Sequence, residues 1–141
     1  MDSIGIAWPR LMAAGLAAGA WVFVSGIIMA RLFGYREMSA SFSRIGLQVP
    51  MGTGPFVTHT LVRLGLGITI VALFVIFARV MPASRAVWWA AASAWLLGNF
   101  FPYLVVTEWG LFPWGLAWKF WGWGVGEFLI AAAIGRMIYR A

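Results

Sequence analysis

The chain contains no cysteine. That excludes disulfides, thiolate metal sites, iron–sulfur clusters and thiol catalysis together. Charge is scarce as well. Only 10% of the 141 residues are Asp, Glu, Lys or Arg, against about a quarter in soluble domains. Acids are the rarer sign, 4 against 10 basic residues. Histidine occurs once, at position 59. One histidine cannot build a bis-histidine haem site within a chain, and one histidine with scattered acids does not supply three converging metal ligands. Gly-x-Ser-x-Gly, His-Glu-x-x-His and a glycine-rich phosphate loop running into Lys-Ser or Lys-Thr are also missing.

What is present is apolar: 63% of the residues are hydrophobic and 17% aromatic, with 10 tryptophans. This composition reads as an all-α integral membrane protein, a bundle of four transmembrane helices. The chain is too short for two such domains, so 1–141 is taken as one. The net charge of +6 is carried by basic residues flanking apolar runs, where it sets orientation. It does not point to nucleic acid.

Leu11–Ala30 is an apolar run long enough to span about 30 Å of hydrocarbon. It reads as a retained span, since it is too long for a secretory signal, lacks a basic start and has no small-x-small cleavage site. Gly15, Gly19 and Gly26 share one face of it, a close-packing pattern. Arg31–Gly54 reads as a polar connection. Within it Tyr35, Met38, Phe42 and Ile45 recur at helical spacing, which predicts a short amphipathic helix at the membrane interface between spans 1 and 2. Further spans are predicted over 56–78, 86–106 and 116–139, with Pro102 kinking the third. With four spans, both termini share a side with the Arg79–Arg85 turn. Arg10, Arg79, Arg85, Arg136 and Arg140 stand there against Asp2, which favours cytoplasmic termini in an inner membrane.

Depth organises the polar residues. At about 1.5 Å per residue from the predicted span starts, Arg63 lies roughly 10 Å and Glu127 roughly 16 Å below the outer surface. Arginine can bridge that difference by snorkelling. Ser25, His59, Asn99 and Tyr103 fall in the same outer half, while the inner half is almost purely apolar. The expectation is one polar cluster of Ser25, His59, Arg63, Asn99, Tyr103 and Glu127, built on an Arg63–Glu127 ion pair. It is read either as a packing device or as a binding site for an anion, a lipid head group, a proton or a cofactor. His59 reads as a wetted, hydrogen-bonded side chain before it reads as a one-sided haem or chlorophyll ligand. Nothing in the sequence requires a cofactor, and lipid is the ligand most compatible with it. Gly122 and Gly126 in Trp121-Gly-Trp-Gly-Val-Gly126 read as packing glycines, not a nucleotide fingerprint, because no strand precedes them.

Trp123-Gly-Val-Gly-Glu127, followed by Gly135 and Tyr139, resembles the closing element of small uncharacterised four-helix bacterial integral membrane proteins. There a Trp-Gly…Glu-Gly element precedes small residues and a Gly-x-x-x-Tyr ending. Here Gly126 precedes Glu127, and Phe128 stands where a glycine would follow. The resemblance covers about the C-terminal half and implies an architecture, without an activity. The functional expectation is a non-catalytic accessory or scaffold subunit of a larger membrane complex, meeting lipids and other membrane subunits or copies of itself. The alternative is a minimal homo-oligomeric transporter or channel around the polar cluster. A third is a pigment-binding protein or membrane enzyme using His59 and Glu127.

Overall fold

The computed structural model describes residues 6–140 and is helical throughout apart from short connections. Asp2 lies outside the described residues, as does the side chain of Arg140. Helix α1 (Trp8–Met29) passes through a π-helical segment, Ala30–Gly34, into α2 (Tyr35–Arg44). Helix α3 covers Thr53–Phe77. Helix α4 (Ala83–Trp95) passes through a second π segment, Leu96–Phe100, into α5 (Phe101–Glu108). Helix α6 covers Trp114–Arg140. Short connections make successive helices antiparallel. Neighbours run α1, α3, α4, α6 around the bundle, and α3 and α6 also touch across it.

Among the described residues, three helical stretches are long and apolar enough to cross a membrane: Trp8–Arg44, Thr53–Phe77 and Ala83–Glu108. At 27 residues α6 is comparable in length. Lys119, Glu127 and its polar-edged tryptophans dilute its apolar character, so a fourth crossing does not follow from composition alone.

The segment after Ala30 departs from the sequence expectation. Instead of a connection carrying a separate helix, one continuous helix of 37 residues runs from Trp8 to Arg44. No proline interrupts it, and the polar residues from Arg31 onward do not oppose helix formation. Gly34 keeps a tight place under Phe120, where a Cβ would meet the ring at 3.1 Å. The helix stops at Gly46, ahead of Pro50. Gly46 takes φ +74. Its N–H bonds the Ser43 carbonyl at 3.2 Å, and the Leu47 N–H bonds that of Phe42 at 2.9 Å. That is a Schellman stop. Gly110, at φ +72, ends α5 in the same way, with Gly110 N–H on Thr107 and Leu111 N–H on Val106. Gly110→Ala therefore costs about 1–2 kcal/mol from the left-handed backbone alone, read as a lowered melting point in detergent. Gly115→Ala, where a Cβ has nothing within 4 Å, leaves it unchanged.

Pro102 is accommodated by a π segment. Its ring cannot sit against the carbonyl one α-turn earlier, and the widened turn at Leu96–Phe100 lies immediately before it. Both π segments face the same part of α6. Phe33 packs edge-on to Phe120 and Trp123, while Phe100 lies 4.8 Å from the Trp121 ring.

Two apolar clusters result. The inner one is rich in alanine and centred on Ala14, Ala18, Val22, Ile70, Phe74 and Phe128. The outer one is richer in aromatics and centred on Met29, Phe112, Leu116, Phe120 and Trp121. Gly15, Gly19 and Gly67 let α1 and α3 meet nearly backbone to backbone. A Cβ on Gly19 would stand 2.6 Å from the Leu64 Cα, and one on Gly67 would overlap the Gly19 backbone.

Candidate functional site

Between the two clusters lies a polar layer. Arg63 projects from α3 and Glu127 from α6, and Arg63 Nη1 donates to Glu127 Oε1 at 3.0 Å. The carboxylate is the deeper partner: its side chain is 2% exposed, against 13% for Arg63. Ser25 of α1 and Trp123 of α6 stand beside the carboxylate, and Trp123 Nε1 donates to Ser25 Oγ at 2.8 Å. Gly26 leaves room for the guanidinium, whose Cζ and Nη2 would lie 3.4 Å from a Cβ there. Three helices thus close around one ion pair.

The other sequence candidates take different places. Tyr103 stacks on Phe120 at 4.9 Å and lies within electrostatic reach of both Arg63 and Glu127. Asn99 belongs to the second π segment and is buried, with its amide pressed on the Gly124 backbone. Its Oδ1 has no hydrogen-bond partner. His59 is exposed and leans on Phe23, 6.2 Å between ring centroids. It stands one helical turn outward of Arg63 and outside the buried layer. Gly15 and Gly19 lie in the α1–α3 seam and Gly26 under Arg63. Gly122 and Gly126 are exposed, and a Cβ on either would touch nothing within 4 Å. The glycines of α6 that face inward are Gly124, on Asn99, and Gly135, on Val71.

Tryptophan has a structural part that the sequence did not reveal. Four indoles point inward and donate across helices. Trp21 reaches the Glu127 carbonyl at 3.1 Å, Trp95 the Trp121 carbonyl at 3.1 Å, and Trp121 the Phe100 carbonyl at 3.3 Å. Trp123 is the fourth. A buried indole N–H needs such a partner, and each bond fixes the register between two helices. Trp8, Trp88, Trp89, Trp109, Trp114 and Trp118 point outward.

Outside the polar layer an open crevice of about 1260 Å³ lies between the Trp8–Arg44 helix and the start of α3. Arg31, Arg36 and His59 stand on it, with Ile27, Met51 and Phe56 as apolar wall. Glu37, the acid on its edge, is bonded to Lys119 of α6. Comparison of the chain with known protein families, curated proteins and solved structures finds no match.

Proposed function

We propose that the chain is a four-span protein of the bacterial inner membrane, with both termini cytoplasmic, that works by association. It serves as an accessory or scaffold subunit of a larger membrane complex and presents the outer face of α6 to a partner helix. In this reading α6 is the fourth span. Phe128–Ile134 supplies its apolar half, and Trp114, Trp118 and Trp123 lie at interface depth in the other. Arg10, Arg79, Arg85 and Arg136 mark the cytoplasmic end.

One observation carries the reading. Gly122 and Gly126 lie four residues apart on the exposed face of α6, beside Trp118 and Val125, and a Cβ on either would meet nothing within 4 Å. Each glycine in a helix interior costs about 1 kcal/mol relative to alanine. Against lipid that cost returns nothing. Against a second helix it allows close backbone approach, the usual device of membrane helix association.

The test is gentle extraction of the full chain from its native membrane, followed by mass determination of the intact particle and an absorption spectrum. The expected particle contains other subunits. The Gly122→Leu/Gly126→Leu double variant releases the 15.5 kDa chain without lowering its melting point. A colourless homo-oligomer that loses ion flux with Glu127→Gln overturns this in favour of a minimal transporter, to which the unpartnered Oδ1 of Asn99 gives some support. A coloured particle bleached by His59→Ala favours a pigment or haem protein.

A further inference from the structure

The crevice beside the first π segment has its own chemistry. Its wall is apolar, through Ile27, Met51 and Phe56, and its charge is positive, through Arg31 and Arg36. The acid on its edge is taken, because Glu37 is bonded to Lys119. Neither Arg31 nor Arg36 joins an ion pair among the described residues. Two uncompensated guanidinium groups therefore face an apolar channel. They follow directly on the apolar run that ends at Ala30, which sets them at head-group depth in a bilayer.

The π segment explains how both arginines come to serve one crevice. In a regular α-helix residues five apart point about 140° away from each other. Here the Tyr35 N–H bonds the Ala30 carbonyl, five residues back. That wider turn swings Arg36 round towards the side of Arg31, and both line the crevice. A regular α-helix through the same residues would turn one arginine away. Single π turns of this kind recur at functional sites.

We propose that this crevice binds the head group of an anionic phospholipid. Arg31 and Arg36 take the phosphate, whose oxygens match the planar guanidinium fork. One acyl chain lies along Ile27, Met51 and Phe56. A zwitterionic lipid offers the same chains, but its own cation competes with the arginines for the phosphate. The preference is therefore set by charge and lost with the two arginines. This proposal rests on the reading of the chain as a membrane protein, and failure of that reading shows separately, as release from membranes without detergent.

The experiment uses the full chain purified in mild detergent with equal amounts of phosphatidylglycerol and phosphatidylcholine of the same acyl chains. Native mass spectrometry counts the lipids retained. Roughly thirtyfold preferential retention of phosphatidylglycerol is expected for two basic side chains at a membrane surface. The Arg31→Gln/Arg36→Gln double variant reduces it to the phosphatidylcholine level, while Arg79→Gln/Arg85→Gln, at the other end of the bundle, keeps it. Should the first double variant not fold, Arg36→Gln alone must lower retention. Equal retention of the two lipids, or undiminished retention in the crevice variants, overturns the proposal. So does displacement of the lipid by millimolar inorganic phosphate, which would make this a free-anion site.

Discussion

Gly67→Ala is expected to cost about 3 kcal/mol or more, the upper end for overpacking a tight interior. The new Cβ would fall on the backbone of Gly19. Side chains relieve a clash by changing rotamer, but backbone has no such freedom, so α1 and α3 must move apart. That motion strips contacts along the whole seam from Gly15–Ile68 to Gly19–Leu64. Gly65→Ala, two residues away on the same helix, meets nothing within 4 Å. It should be neutral or stabilise by up to about 1 kcal/mol through helix propensity. Melting of the two variants in one detergent separates the packing effect from propensity. Equal melting points would mean that α1 and α3 do not approach as described.

The second large effect falls on the ion pair. Removing one partner of a buried pair typically costs about 3–5 kcal/mol, because the survivor is left desolvated. Arg63→Met should sit in that range, since it leaves Glu127, the more deeply buried member, without its cation. Glu127→Gln should cost less. The amide oxygen can still accept from Arg63 Nη1, and Arg63 is the more exposed partner. The double variant leaves no charge in the layer and should be less damaging than the sum of the singles by about 1–3 kcal/mol. Additive losses in a denaturation cycle would remove the pair from any account of stability.

The pairing of Arg63 with Glu127 is readable because each is the ionisable residue nearest the middle of its predicted span and the two depths are close. The closing of the network was less readable. Ser25 and Asn99 look alike in sequence, as polar residues in apolar runs, yet Ser25 accepts from Trp123 while Asn99 Oδ1 has no partner. His59 shares a helix face with Arg63 by spacing, but that spacing does not say how far the neighbouring helices extend. The outer part of α3 has little covering it beyond Phe23, so His59 is exposed. The glycines of α6 alternate with tryptophan and valine at a period of two, which hides which of them face inward. Gly124 and Gly135 do, and Gly122 and Gly126 do not. Neither π segment has a composition that sets it apart, because an extra residue in a helical turn is selected by what packs against it. The continuity of the helix through Arg31 was missed for a related reason. Polarity from Arg31 onward marks the end of the apolar stretch and not the end of the helix.

That continuity has a mechanical consequence. A helix of 37 residues is roughly 55 Å long at about 1.5 Å per residue, well beyond the hydrocarbon thickness of about 30 Å. One continuous helix therefore joins the tight seam at Gly15 to the two arginines of the crevice. A change of tilt at either end is felt at the other without any loop between them to absorb it.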